Sequence, residues 1–169
     1  SLMERRNETR YDTAFTQSIE ATHGVTTGIS ASDRSITIKT AINEQNNENH
    51  ITTPGHVFPI IARNGGTLIR AGHTEAIVDI AKICGLNPSG VICEIMKDNG
   101  EMARLPDLKQ FAKKHGLKIG TIADLISYRR KNENLLVRTY EKPFNSSVTG
   151  SWRIIAVSYT HLTLPTMDS

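Results

Sequence analysis

The chain has 169 residues, 38% of them hydrophobic and 22% charged, enough for one ordinary domain or one with a piece of a second, and wholesale disorder is excluded. Lys and Arg number 20 against 17 Asp and Glu, and the dispersed charge of +3, without a basic block or interleaved aromatics, speaks against a nucleic-acid partner. The apolar runs at 57–62 and 76–86 are shorter than the roughly 18 residues of a bilayer span, so no membrane partner is expected. No secretory signal is visible, and two cysteines without C-x-x-C spacing offer no disulfide or zinc framework; the cytoplasm is the expected compartment.

Residues 13–20 alternate as Thr-Ala-Phe-Thr-Gln-Ser-Ile-Glu, which predicts a strand with Phe15 and Ile19 on one side. Residues 22–34 are rich in Gly, Thr and Ser and suit a ligand-facing loop, with Asp33 capping a helix over 34–42. The polar stretch 43–53 reads as a surface loop. A buried strand over 57–62, a tight turn at Asn64-Gly65-Gly66 and a returning strand over 67–70 form a predicted hairpin. Ile77, Ile80, Ala81 and Cys84 have helical spacing, so 74–83 is a predicted helix stopped by Gly85.

A buried strand is then predicted over 91–95, a turn at Asp98-Asn99-Gly100, and a helix over 106–115 with Pro106 in its first turn and Gly116 after its end. A strand over 117–121 and a helix over 122–131 follow. Strands alternating with helices predict an α/β (α+β) fold, a layered mixed β-sheet flanked by helices. Beyond Lys131 the expectation is a linker over 132–150 and a short strand over 152–155 with nothing to pair with. No internal repeat is present. Residues 156–166 (Ala-Val-Ser-Tyr-Thr-His-Leu-Thr-Leu-Pro-Thr) resemble the conceptual translation of a sequencing adaptor, and 156–169 are expected to be a non-native tail.

The strongest local signal is Arg70-Ala71-Gly72-His73-Thr74, leaving a strand and opening a helix. There the free N–H groups and the helix dipole face an incoming anion, Gly72 allows close approach, and Arg70 adds a fork for phosphate. The same residues serve equally as an ordinary N-cap and a solvated strand end. His73 offers a ring nitrogen to a metal or a proton. In Thr53-Pro54-Gly55-His56 the imidazole stands at a strand entrance, as a general acid or base or as a surface turn residue. Glu94 interrupts the apolar run Val91-Ile92-Cys93-Glu94-Ile95, so it either has a partner or a task, or alternation points it to solvent. Thr26, Thr27, Ser30 and Asp33 could bond a polyol or simply make turns and caps. Cys84 and Cys93 read as inert core thiols, His23, His50 and His115 as surface or cap residues, and Lys113-Lys114 and Arg129-Arg130-Lys131 as solvated helix ends.

Together, residues 24–34 (Gly-Val-Thr-Thr-Gly-Ile-Ser-Ala-Ser-Asp-Arg), 54–59 (Pro-Gly-His-Val-Phe-Pro), 70–75 (Arg-Ala-Gly-His-Thr-Glu), Cys93-Glu94, Met102-Ala-Arg104 and 124–129 (Asp-Leu-Ile-Ser-Tyr-Arg) resemble, in order, the 3,4-dihydroxy-2-butanone 4-phosphate synthases of riboflavin biosynthesis. The resemblance runs from about Leu2 to Arg130. It implies a magnesium-dependent lyase, with manganese as the alternative ion, that converts D-ribulose 5-phosphate to the four-carbon ketone phosphate and formate. By motif, Arg70, Gly72 and Thr74 would hold the sugar phosphate and His73 the metal, His56 and Glu94 would be catalytic, with Glu94 also touching substrate, and Thr27 and Asp33 would lie in the substrate loop. A homodimer with shared active sites is implied, His56 reaching in from the partner. The family's acidic N-terminal part would precede Ser1, so the polypeptide by itself is expected to be inactive or at most weakly phosphate-binding. Residues 145–155 resemble the start of a GTP cyclohydrolase II domain. The alternatives are a non-catalytic phosphate-binding remnant and a sugar-phosphate isomerase.

Overall fold

The structure is a computed structural model that describes residues 13–43, 45–134 and 136–159. The chain divides into two compact units, Ser1–Ala62 with Ile77–Val91, and Arg63–Ala76 with Ile92–Ser169.

The first unit contains β1 (Ala14–Phe15), β2 (Ile19–Ala21), α1 (Ala31–Ala41), β3 (Ile51–Val57), β4 (Ile60–Ile61) and the C-terminal part of α2 (His73–Ile83). β1 pairs antiparallel with β4, and β2 with β3. Ile19 lies opposite Val57 but Glu20 lies opposite Thr52, so the intervening Thr-Pro-Gly-His segment loops out of the ladder. Gly55 makes that possible: a Cβ there would overlap the Ile19 carbonyl group, while its N–H donates to Ser18 Oγ at 3.1 Å. The single predicted strand over 13–20 is thus two short ones, and Glu20, expected opposite the apolar side, is buried while Phe15 is exposed.

Helix α1 packs on β2 and β3. Its N-cap is Ser30, whose Oγ accepts the Asp33 N–H at 3.0 Å, so Asp33 sits inside the first turn and is not the cap the sequence suggests. The side chains α1 buries are Asp33 and Thr37, one turn apart and both polar. No apolar stripe could have revealed that face. The predicted loop over 43–53 contains a short 3-10 turn, Glu48–His50, closed by Asn47 and His50, before Ile51 opens β3.

The predicted hairpin over 57–70 does not form. Gly65 and Gly66, with φ of +90° and +62°, turn the chain into a 3-10 helix, Gly66–Leu68. Gly66 N–H reaches Arg63 O at 2.9 Å and Ile69 N–H reaches Gly66 O at 3.0 Å, and these i→i+3 bonds curl the segment that would have returned as a strand. α2 then starts at His73 and ends before Gly85, as expected. Residues 91–95 and 117–121 are not strands: apart from the Met96–Met102 bridge no ladder satisfies them among the described residues, and Val91 and Ile92 are exposed. The Asp98-Asn99-Gly100 turn is present, with Gly100 N–H on Lys97 O.

Helix α3 (Leu105–His115) ends at Gly116, φ +64°, and α4 (Ile122–Asn132) starts at Thr121, whose Oγ accepts the Asp124 N–H. Arg129 is not a solvated helix end. It is buried, grips the Glu133 carboxylate through Nε and Nη2 at 2.7 Å each, and donates Nη1 to Gly65 O at 2.8 Å, tying α4 to the glycine turn. Lys113 and Lys114 are exposed, as expected.

The expected linker and unpaired strand are instead a long antiparallel hairpin of β5 (Leu136–Ser146) and β6 (Gly150–Tyr159). Register places Tyr140, Phe144, Trp152 and Ile154 on one face; on the other, Glu141 pairs with Arg153 at 3.0 Å and Arg138 at 3.4 Å. The part of the expected non-native tail up to Tyr159 lies in β6, and the rest falls outside the described residues.

The α+β character predicted from sequence is present, its described sheets being three two-stranded antiparallel ladders. Among the described residues no helix is long and apolar enough to cross a membrane. Cys84 and Cys93 are exposed free thiols rather than core residues, because α2 ends before the first and the second lies in the open segment.

Candidate functional site

The first unit builds a polar cluster around Glu20. Its Oε2 accepts the His56 backbone N–H at 3.2 Å and lies 2.6 Å from His56 Nδ1, and its Oε1 accepts the Thr37 hydroxyl at 2.8 Å. Thr37, fully buried, accepts the Ala21 N–H in turn at 3.1 Å. The His56 ring, followed by the Thr37 hydroxyl, holds the Glu20 carboxyl below its ordinary value. The His56 side chain is 42% exposed, so one edge of the ring is held and the other is available.

Gly28 forms the wall beside this pair. Its φ is +83°, and a Cβ would strike both the Glu20 carboxylate and His56 Nδ1. The loop is held by Asp33, which accepts the Thr26 N–H at 3.2 Å, the Thr26 hydroxyl at 2.8 Å and the Gly28 N–H at 3.1 Å. The Thr26 hydroxyl is the main reason the Asp33 carboxyl lies below its ordinary value. Both Asp33 oxygens are therefore engaged in shaping the loop. Thr27 is exposed, and its hydroxyl has no partner among the described residues.

The second unit carries Arg70, Gly72, His73 and Thr74 on consecutive backbone at the start of α2. Arg70 Nη1 donates to Glu75 Oε2 at 2.6 Å, and the other Glu75 oxygen accepts the Arg63 N–H at 2.9 Å. Glu75 is 1% exposed, so this buried carboxylate fixes the guanidinium. Gly72 is needed where it stands, since a Cβ would overlap both Arg70 and Glu75. His73 is exposed and Thr74 buried at the helix start.

Glu94 is not at a strand edge. It is exposed on the open segment, and among the described residues no hydrogen bond or ion pair engages its carboxylate. Sequence reasoning missed Glu20 and Glu75, the two carboxylates that orient the candidate side chains. A signal existed for Glu75, three residues after Gly72 at a helix start; for Glu20 the alternation pointed the wrong way. His50 and His115 have the bland roles expected, one closing the 3-10 turn and the other against Phe111 at 4.4 Å.

The described residues do not fit a magnesium site. No group of three His, Cys, Asp or Glu converges among them, and magnesium takes carboxylates and water in near-octahedral geometry rather than one imidazole such as His73.

Residues 1–128 match the family model for 3,4-dihydroxy-2-butanone 4-phosphate synthase, and the chain belongs to that family. It is 54% identical over 151 residues to the 3,4-dihydroxy-2-butanone 4-phosphate synthase of Neisseria meningitidis serogroup B, an alignment covering 89% of this chain and 40% of that protein. It resembles the crystal structure of a two-domain synthase from A. baumannii, RibBX, with a TM-score of 0.80 and 45% identity, covering 94% of this chain and 46% of that one. It also resembles a synthase structure in complex with two magnesium ions, with a TM-score of 0.69 and 34% identity, covering 78% of this chain and 66% of that one. The chain thus spans about two fifths of the length of the first of these relatives.

Proposed function

We propose that these residues belong to a lyase of riboflavin biosynthesis that converts D-ribulose 5-phosphate to 3,4-dihydroxy-2-butanone 4-phosphate and formate. The observation that carries the reading is the family match across residues 1–128. The reaction must enolise, dehydrate, rearrange and cleave a ketose phosphate, so it needs proton shuttles and anion-binding groups. His56, held at Nδ1 and open on its other edge, serves as the proton shuttle. The backbone N–H groups around Gly72 to Thr74 receive the phosphate at the start of α2, with Arg70 fixed beside them by Glu75. Glu94 supplies a second acid/base group and contacts substrate, and Thr27 bonds a substrate hydroxyl. Asp33 acts by holding the Thr26–Gly28 loop.

The family reaction uses magnesium, for which His73 is this chain's candidate ligand. The 169-residue polypeptide by itself binds sugar phosphate without turning it over, since one imidazole such as His73 does not by itself hold magnesium. Two copies share their active sites in the working enzyme. Residues 145–155 open a second, GTP cyclohydrolase II-like module.

The test is a titration of the purified chain with ribulose 5-phosphate and magnesium, followed by amide NMR, with formate and carbon products assayed in parallel. Perturbed Gly72–Thr74 amides without formate are expected. Formate release would overturn the inactivity, a five-carbon isomer as product would overturn the lyase, and no binding would remove the phosphate corner.

A further inference from the structure

We propose that Glu20 is a positioning residue for His56, fixing the neutral imidazole as the Nδ1–H tautomer and presenting Nε2 as the atom that takes and returns a proton. The inference rests on the reading of His56 as an acid/base group, and its test does not depend on turnover.

An ionised carboxylate only accepts, so at 2.6 Å from Glu20 Oε2 the proton must be on His56 Nδ1. The same oxygen also accepts the His56 main-chain N–H at 3.2 Å, so ring and backbone of one residue are clamped by one atom and the side-chain torsion is set. Three things hold that atom in place. The Thr37 hydroxyl donates to Oε1, Thr37 is itself fixed by the Ala21 N–H, and Gly28 packs against the pair with no side chain to displace it. Glu20 is meanwhile held in its ionised form by these donors. His56 Nε2 has no partner among the described residues and lies on a side chain that is 42% exposed.

The carboxylate holds the inner edge of the imidazole and leaves the other edge free. Replaced by a group that bonds Nδ1 less strongly, it would release the ring to the Nε2–H tautomer that an unconstrained histidine side chain prefers, with the basic lone pair turned inward. Such an arrangement orients a base without touching the reacting atoms.

The experiment is long-range 1H–15N correlation on the 169-residue chain labelled with 15N-histidine, at mildly alkaline pH. In the wild-type protein His56 should show a protonated Nδ1 and a bare Nε2. In Glu20→Gln, which keeps the side-chain shape, the two His56 nitrogens should move towards the averaged positions of a tautomer mixture while those of His23 and His50 stay. A wild-type His56 with its proton on Nε2, or a folded Glu20→Gln chain with an unchanged pattern, overturns the proposal; should Glu20→Gln not fold, the wild-type tautomer decides alone. A fixed tautomer in a chain that never binds ribulose 5-phosphate leaves the positioning standing and removes only the reaction. An averaged tautomer in a chain that does bind removes the positioning alone.

Discussion

Glu20 and Asp33 are buried carboxylates whose neighbours all donate, which makes them acid-sensitive fastenings. Both have carboxyl groups below their ordinary values of 4.5 and 3.8, Glu20 chiefly through the His56 ring and Asp33 chiefly through the Thr26 hydroxyl. In the range just below those values the unfolded chain binds protons that the native chain does not, so stability rises with pH there. The contribution is complete above the ordinary carboxylate values and is lost as pH falls through the lowered native ones. Urea midpoints measured at successive acid pH values should therefore decline steeply, and Asp33→Asn should both lower the midpoint at neutral pH and flatten the acid limb. The amide would keep one acceptor but turn an N–H group towards the Gly28 N–H. An acid limb as steep in Asp33→Asn as in the wild type would show that the carboxylate is not the titrating fastening. None of this was visible in the sequence, where Asp33 read as a cap and Glu20 as the polar side of an alternating strand; both are polar residues placed inside by hydrogen bonds, which hydrophobic periodicity does not register.

Elements bounded by local chemistry were legible, and those that needed a distant partner were not. The helices over 73–83 and 105–115 follow from apolar spacing or an N-terminal Pro and from a following Gly, and the one over 122–132 starts at the Thr121 cap. The strands predicted over 91–95 and 117–121 had only apolar composition behind them, and without a neighbouring ladder they stay open. The pairing of β5 with β6 was missed for the converse reason, since Lys142, Pro143 and Asn145 mask a strand that its partner stabilises. Two glycines separate the kinds of constraint. Gly116 has φ +64° and open space around it, so Gly116→Ala should cost on the order of 1 kcal/mol for the left-handed cap alone. At Gly55 a Cβ would lie inside the Ile19 carbonyl group, so Gly55→Ala must part β2 from β3 and should cost about 3 kcal/mol or more. Chemical denaturation of the two variants orders them, and a Gly55→Ala no worse than Gly116→Ala would mean that the looped-out segment is not clamped against β2.

The apolar residues that are buried among the described ones are Ala21, Ala76, Ala81 and Ala112, whereas Phe58, Leu86, Val91 and Met96 are each more than 60% exposed. Alanines bury little area, and side chains of that size left in water each forgo roughly 1.5–3 kcal/mol of transfer free energy. Where such groups lie side by side they mark a surface meant for a partner. The hairpin adds to the case, because a two-stranded ribbon with Tyr140, Phe144 and Trp152 all exposed is at best marginally stable by itself in water. The proposed homodimer would cover part of such surface, because a two-fold contact uses the same residues on both copies. Sedimentation equilibrium at micromolar concentration should therefore give twice the monomer mass, and Phe58→Ser, which exchanges an exposed ring for a hydroxyl, should shift the equilibrium towards monomer without loss of helical signal. A chain that sediments as a monomer at every concentration while remaining soluble and helical would mean that this apolar surface tolerates water, and the shared-site arrangement would fall with it.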